Sequence, residues 1–206
     1  FLVSNIGFWV QNSYFSKSEF NPLLHLWSLG VEIQFYLILP ILVAIFRKRP
    51  IFLYILLLSS LMLCLKWVEI SPKTSFFMTP LRLWEFLIGY VVAKNFSLNG
   101  RVKYKRPSCG LAALFLILGI PFLKLDGSSL SVISGHPALY ALITTIATAF
   151  FLTFGLPEKI EKSFISRCLE VLGKYSYSIY LVHFPIIVLF LYQPFSGTKI
   201  NPEGLK

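Results

Sequence analysis

The chain has 206 residues, of which 56% are apolar, 17% aromatic and only 14% charged, and its mean hydropathy is +0.71. About 25% of the residues of a soluble domain are charged, so this composition excludes an ordinary soluble domain and indicates an integral membrane protein. The net charge of +10 does not indicate nucleic-acid binding, because no soluble domain with interleaved aromatic and basic residues accompanies it.

Apolar segments recur along the whole chain. Residues 1–24 begin with the run FLVSNIGFW, which we interpret as the tail of a preceding helix followed by an extracytoplasmic loop, and not as a signal peptide. A helix that crosses a bilayer needs about 20 mostly apolar residues. Later segments that approach this length are 25–46, 51–67, 77–94, 108–124, 136–156 and 172–193.

These segments predict an all-α fold, a polytopic transmembrane helical bundle with about six spanning helices over residues 25–194. Residues 195–206 are then expected to form an extracytoplasmic tail. Because the connecting loops are short, we expect a single membrane domain over residues 1–206.

Basic residues concentrate in alternate loops. Most of the 19 Lys and Arg residues follow the first, third and fifth predicted helices. Short loops rich in these residues stay in the cytoplasm, so these helices are expected to run from the outer face to the inner face of a multi-pass protein. One of the basic loops contains a candidate site for the phosphates of a donor, formed by Arg101, Lys103, Lys105 and Arg106.

The cysteines do not indicate a metal centre. Cys64, Cys109 and Cys168 lie in or beside separate predicted helices, without CxxC or Cys/His spacing. We therefore expect neither a disulfide framework nor a metal site.

Polar residues of the first predicted helix fall on one side. At about 100° per residue, His25, Ser28, Glu32 and Tyr36 share one stripe, while Gln34 falls on the far side. A charged group at the centre of a spanning helix costs about 2.5 to 3.5 kcal/mol on insertion scales, so it usually faces a cavity or a partner. The stripe predicts a polar surface in the outer half of the membrane.

The third predicted helix carries Arg82 and Glu85, three residues apart and therefore on one face. Both lie at about the depth of Glu32. One interpretation is an ion pair between helices that only stabilises packing. The other is a polar cavity, open to the outer face, in which one carboxylate is left for function.

The last predicted helix contributes His183, with Tyr180 and Ser176 one and two turns before it. Taken alone, a histidine beside tyrosines is more often a hydrogen-bonded packing residue than a catalyst. Pro185 is expected to kink this helix and to leave a backbone carbonyl without a partner. The fifth predicted helix carries Thr144, Thr145 and Thr148, for which we expect hydrogen bonds between helices.

Four segments in this order resemble the signatures of acyltransferase family 3, the membrane-bound O-acyltransferases of bacterial surface glycans. They are NPLLHLWSLGVEIQFYLILP, PLRLWEFLIGYVVA, HPALYALITTIATAFFLTFG and LGKYSYSIYLVHFPIIV. The matching positions are His25, Trp27, Ser28, Glu32, Arg82, Trp84, Glu85, Ser176, Tyr177, Tyr180 and His183. The resemblance departs at Ile33, where a second acid is frequent in the family.

The resemblance implies transfer of an acyl group, usually acetyl, from a cytoplasmic acyl-CoA to a hydroxyl of a glycan outside the bacterial inner membrane. Acyl-CoA would be a co-substrate, with no permanently bound cofactor. The family's proposed catalytic histidine and an arginine pair would lie upstream of Phe1, so we expect the chain to be a fragment lacking the N-terminal helices.

On this hypothesis the catalytic group comprises Glu32, Arg82, Glu85 and His183. Glu32 would orient the upstream histidine, which acts as the base, and Arg82 would stabilise negative charge on the oxyanion or thioester. The acceptor would contact His25, Ser28, Tyr36 and Tyr180. We expect the ionisable side chains of the separate helices to meet in one hydrated pocket.

Other function classes remain open. A secondary transporter or flippase of a polar solute would also place acids and histidines within the membrane, although the sequence has no evident inverted repeat. A non-catalytic subunit that docks a partner is a further alternative. A hydrolase triad of His25, Ser28 and Glu32 is disfavoured, because three groups on one helix rarely align for proton abstraction. The oligomeric state is not predicted.

Overall fold

The structure is a computed structural model that describes residues 2–11, 22–99, 107–122 and 137–191. The regular structure of these residues is entirely helical, which confirms the predicted all-α class. The helices are α1 (Ser4–Gln11), α2 (Trp27–Lys48), α3 (Ile51–Ile70), α4 (Pro72–Phe77), α5 (Thr79–Asn99), α6 (Pro107–Gly119), α7 (Leu139–Phe154), α8 (Glu158–Glu161), α9 (Phe164–Lys174) and α10 (Ser176–Leu191). Short 3₁₀ turns precede α2 at Leu24–Leu26 and follow α6 at Ile120–Phe122.

The predicted number of about six spanning helices is not supported by the described part of the chain. Two described helical segments are long and apolar enough to cross a membrane, Leu24–Lys48 with 25 residues and Ile51–Ile70 with 20. A third span exists if α9 and α10 are counted as one, but these two helices meet at an angle of 70°. The structure therefore supports two to three apolar spans within the described residues.

The other predicted spans differ for physical reasons. The segment 77–94 falls mainly on α5, whose 21 residues are long enough but include Arg82, Glu85 and Lys94. The described parts of 108–124 and 136–156 contain α6, which is followed by the 3₁₀ turn Ile120–Phe122, and α7. The helices α6 and α7 have 13 and 16 residues. At 1.5 Å per residue these helices are about 20 and 24 Å long, shorter than the hydrocarbon core of about 30 Å.

The chain divides into two compact units. The first comprises residues 1–33 and 164–206, and the second comprises residues 34–163. The expectation of a single domain stays a prediction. The second unit holds a buried core between α3 and α5, made of Cys64, Val68, Leu81, Trp84 and Ala138.

Ser60 of α3 attaches α3 to the first turn of α5. Its hydroxyl donates to the carbonyl of Pro80 at 2.7 Å and accepts from the amide of Trp84 at 3.1 Å. In a regular helix these two backbone groups bond each other. A side chain inserted between them perturbs the local helix geometry, and it fixes the start of α5, where Arg82 lies.

The helices α6 and α7 approach each other at backbone distance. A Cβ atom added to Gly110 would lie 1.8 Å from the carbonyl oxygen of Gly155, so no larger side chain fits there without a shift. Gly155 ends α7 with φ of +64°, in the left-handed region that favours glycine, and its amide donates to the Phe151 carbonyl at 2.9 Å. These two glycines set the position of α7 beside α6.

Candidate functional site

A polar cavity of about 210 Å³ lies in the second unit, where α5 meets α7. Its wall combines a cation, an anion and hydroxyl groups with a few apolar side chains. The lining residues are Arg82, Glu85, Ile120, Tyr140, Ala141, Thr144 and Thr145. Two of the four predicted catalytic residues therefore lie at one cavity.

Arg82 and Glu85 form an ion pair within α5. Nη2 of Arg82 lies 2.9 Å from Oε2 of Glu85, and Nε lies 3.2 Å from Oε1. Both side chains are largely buried, with 17% and 19% of their surface exposed. The guanidinium also lies 5.8 Å from the ring centre of Phe76, within the range of a cation–π contact. Two parallel hydrogen bonds and a ring fix the orientation of Arg82 at the cavity.

The threonines of α7 bond within their own helix. The hydroxyls of Thr144, Thr145 and Thr148 donate to the carbonyls four residues earlier, at 2.7, 2.8 and 2.8 Å. These bonds differ from the expected bonds between helices. Because each hydroxyl proton is used inside α7, the oxygen lone pairs and the methyl groups are what Thr144 and Thr145 can present to a ligand.

Tyr140 is a cavity residue that the sequence interpretation missed. It lies one turn before Thr144 and two turns before Thr148 on α7. Residues four apart share a helix face, so the Tyr-Thr-Thr spacing was the available signal.

A second cavity of about 300 Å³ adjoins the first and shares Glu85, Thr144 and Thr145 with it. Its remaining lining is mostly apolar. These residues are Phe86, Ile88, Gly89, Val92, Thr148, Ala149 and Leu152. The polar and the apolar cavity thus lie side by side along α5 and α7 and share part of their wall.

In the first unit, hydrogen bonds connect α10 to the start of α2. The Tyr180 hydroxyl donates to the carbonyl of His25, and the Ser28 hydroxyl lies 2.5 Å from the Tyr180 oxygen. The Ser28 oxygen also lies 3.4 Å from the His25 carbonyl oxygen, so the two hydroxyl groups and this carbonyl form one hydrogen-bonded cluster. The structure thus brings together three of the residues expected to contact the acceptor.

The imidazole of His25 is buried, with 8% of the residue exposed. Its ring centre lies 5.1 Å from that of Tyr180, 5.5 Å from that of His183 and 5.2 Å from that of Phe184. Among the described residues, no hydrogen-bond partner is aligned with either ring nitrogen. Leaving a buried polar group without a partner costs about 1–3 kcal/mol, which favours a role for this ring in binding.

A backbone carbonyl left by Pro185 lies close to this histidine. Proline has no N–H, so the carbonyl of Leu181 has no helical donor at position 185. The Leu181 carbonyl lies beside the His25 ring, although it is not aligned for a hydrogen bond with the ring nitrogens. Helix α10 continues through Pro185, and a separate bend of 70° lies at Tyr175, between α9 and α10. The kink at Pro185 stays a prediction.

His183 bonds to its own helix. Its Nδ1 lies 2.7 Å from the Tyr180 carbonyl. A carbonyl only accepts, so this contact requires the proton on Nδ1, which leaves Nε2 as an acceptor in the neutral ring. The residue is exposed and its ring packs edge-on to that of His25.

The remaining predicted residues are placed as follows. Glu32 is partly exposed on α2, and within the described residues of its unit it makes no hydrogen bond or ion pair. Tyr36 belongs to the second unit and is 57% exposed. His25 lies in a 3₁₀ turn, whose rotation per residue exceeds that of an α-helix, so the predicted stripe does not extend to it unchanged. A pocket shared by Glu32, Arg82 and His183 stays a prediction.

The predicted phosphate-binding residues Arg101, Lys103, Lys105 and Arg106 lie outside the described residues. In the described ranges, no cluster of three or more His, Cys, Asp or Glu side chains could hold a metal ion. The cysteines Cys64, Cys109 and Cys168 are free thiols.

The fold and these polar sites define an all-helical protein with apolar spans and ionisable groups placed among them. The model of the acyltransferase domain of family 3 matches residues 1–194, and the chain belongs to this family. The O-acetyltransferase OatA of Staphylococcus aureus strain NCTC 8325 is 30% identical over 206 residues, covering 91% of this chain and 33% of the relative. A putative O-acetyltransferase of strain COL is 31% identical over 205 residues, with the same coverage.

The chain therefore spans about a third of the length of the curated relatives it matches. No solved structure matches it.

Proposed function

We propose that the chain is part of a multi-pass inner-membrane O-acyltransferase. It would move an acyl group, first of all acetyl, from cytoplasmic acyl-CoA to a hydroxyl of a cell-surface glycan such as lipopolysaccharide O-antigen, peptidoglycan or an exopolysaccharide. Family membership and the names of the relatives support acyl transfer. The observation that carries the assignment to this site is the oriented Arg82–Glu85 pair at a cavity lined by hydroxyl groups.

The reaction requires one bond exchange and one proton transfer. The acceptor oxygen attacks the thioester carbonyl, the C–O bond forms, the C–S bond breaks, and the hydroxyl proton ends on the CoA thiol. Negative charge develops on the carbonyl oxygen in the transition state. Arg82 is the group that stabilises this charge, because its guanidinium is held in a partly buried cavity where electrostatic interactions are stronger than in water.

Glu85 has a positioning role in this proposal. Its carboxylate binds two guanidinium nitrogens, so it fixes the direction of the remaining Arg82 N–H groups and offsets the cost of placing an arginine in α5. Glu32 has no ionic partner within its own unit, which leaves its carboxylate for orienting a base. In the first unit, His25 and the bonded pair Ser28 and Tyr180 would bind the acceptor glycan.

The experiment uses the full-length protein in membrane vesicles with acetyl-CoA labelled in the acetyl group and the host glycan as acceptor. We expect label in the glycan as an alkali-labile ester, and its loss in Glu32→Gln at an unchanged protein level. Solute uptake coupled to protons, without label in the glycan, would instead support the transporter. Unchanged transfer by Glu32→Gln would remove Glu32 from the chemistry.

A further inference from the structure

The apolar cavity beside the ion pair has no role in the chemistry described above. It shares Glu85, Thr144 and Thr145 with the polar cavity and continues away from Arg82 along α5 and α7. From Glu85 to Val92 the path along α5 is about 10 Å, and from Thr144 to Leu152 along α7 it is about 12 Å. Its length therefore exceeds what an acetyl methyl group fills.

The lining of this cavity suits an alkyl chain. Apolar side chains of α5 and α7 face it, together with Thr148, whose hydroxyl proton is bonded to the Thr144 carbonyl at 2.8 Å. The wall therefore presents few hydrogen-bond donors to a ligand in this cavity. An acyl chain whose carbonyl lies at Arg82 would extend into this space and bury its methylene groups against α5 and α7.

Gly89 leaves the middle of the cavity open. A Cβ atom added at Gly89 would meet nothing within 4 Å. Gly89 is itself exposed, so an added side chain would begin there without a clash at its first atom. Because Gly89 also lines the cavity, it is a position at which an added side chain can narrow it.

We propose that the apolar cavity binds the acyl chain of the donor, that the protein accepts acyl groups longer than acetyl, and that Gly89 determines the maximum length. The proposal rests on the proposed acyl transfer. Each buried methylene is expected to raise kcat/KM about fourfold until the cavity is full. A membrane lipid is the other occupant with matching chemistry, but a lipid would not make the rate depend on the donor's chain length.

The test compares acetyl-, butyryl- and hexanoyl-CoA as donors for the full-length protein with one acceptor glycan. We expect the wild type to use butyryl-CoA with a kcat/KM at least equal to that for acetyl-CoA. In Gly89→Phe the ratio of hexanoyl to acetyl transfer should fall at least tenfold. The matched control is Gly173→Phe, since Gly173 is also a helical glycine with nothing within 4 Å and lines neither cavity.

The outcomes separate the two proposals. Absence of transfer from every donor in the wild type contradicts acyl transfer itself. Acetyl transfer without butyryl transfer, or an unchanged ratio in Gly89→Phe, overturns the chain-length proposal alone. If Gly89→Phe does not reach the membrane, Ala149→Leu on the opposite wall has to produce the same change in ratio, and the wild-type donor series stands independently of both variants.

Discussion

Arg82 is held by two hydrogen bonds from different guanidinium nitrogens to the two oxygens of Glu85, at 2.9 and 3.2 Å. A lysine has one charged nitrogen and cannot reproduce this geometry. We therefore expect Arg82→Lys to keep the charge but to slow acetyl transfer at saturating substrate about a hundredfold or more, as for loss of an oriented donor to a developing oxyanion.

The matched control for this variant is Arg167→Lys, because Arg167 is exposed on α9 and forms no ion pair with the described residues. Transfer rates are measured in vesicles after the amount of protein is normalised by immunoblot. Full activity of Arg82→Lys would mean that only the positive charge matters and that the bidentate orientation does not.

In the proposed site, Tyr180 positions His25 and takes no part in forming or breaking bonds. Its hydroxyl donates to the His25 carbonyl and is hydrogen-bonded to the Ser28 hydroxyl. Tyr180→Phe removes both bonds, each worth about 0.5–1.5 kcal/mol, and leaves the His25 ring less constrained. We expect KM for the acceptor to rise severalfold while kcat changes by less than about threefold.

Tyr177→Phe is the control, because Tyr177 is 59% exposed on the same helix and has no hydrogen bond within the described residues. Steady-state kinetics over a range of acceptor concentrations separate the two constants. A large loss of kcat at constant KM would instead give Tyr180 a direct part in the reaction.

The candidate residues show what sequence alone can predict. The three-residue spacing placed Arg82 and Glu85 on one helix face, because neighbours on a face are determined locally, but the sequence indicated an ion pair between helices and the structure shows this pair within α5. The contact of Tyr180 with His25 spans 155 positions, and no periodicity encodes a contact between distant segments. The resemblance selected both residues, but only the fold brought their atoms together.

At the scale of the helices, the close approach of α6 and α7 controls where Thr144 and Thr145 lie. Gly110→Ala would place a methyl group 1.8 Å from the Gly155 carbonyl oxygen, so the two helices must separate. Overpacking of this kind typically costs about 1–3 kcal/mol. We expect a lower midpoint of thermal unfolding in detergent and reduced acetyl transfer.

Gly119→Ala provides the comparison on the same helix, since a Cβ at Gly119 meets nothing within 4 Å. Alanine favours helix more than glycine does, so this variant should be neutral or slightly more stable. Equal stability of the two variants would show that α6 can shift without cost.

Two of the predicted spans differ from the structure because a run of apolar residues does not always form one straight, continuous helix. Apolar residues run through 77–94, but this segment includes the break at Met78 between α4 and α5, and α5 itself carries Arg82, Glu85 and Lys94. At 172–193 the prediction joined residues of α9 to α10, although the helices bend by 70° there. A hydropathy count detects neither a break nor a bend.

At the scale of the whole molecule, α9 differs from the spanning helices. Its apolar residues occupy one side of the helix, and its polar and charged residues occupy the other. The apolar side consists of Phe164, Ile165, Cys168, Leu169, Val171 and Leu172. The polar side consists of Ser166, Arg167, Glu170 and Lys174. Phe164, Ile165 and Leu169 are 81%, 71% and 61% exposed. Such a helix is typical of a membrane interface, where one face enters the acyl region and the other stays in water.

The 70° bend supports the same placement. The 16 residues of α10 are almost entirely apolar and favour burial in the bilayer. We expect α10 to be inclined across the bilayer, which would place α9, at 70° to it, close to the membrane plane. Arg167 and Lys174 would then face the negatively charged headgroups of the cytoplasmic leaflet, which attract basic residues near the surface, in agreement with the orientation expected from the basic loops.

Cys168 provides a reporter for this prediction, because its free thiol is exposed on the apolar face of α9. In a full-length protein with Cys168 as the only labelled cysteine, a nitroxide at this position should collide with oxygen in the bilayer and be protected from a water-soluble nickel chelate. The matched label at Ser166→Cys, on the polar face, should show the opposite accessibility. Equal exposure of both labels to the chelate would place α9 in water, and protection of both from the chelate and from oxygen would place it under another protein segment. Either result contradicts an interfacial helix, because only a membrane surface separates two positions two residues apart in this way.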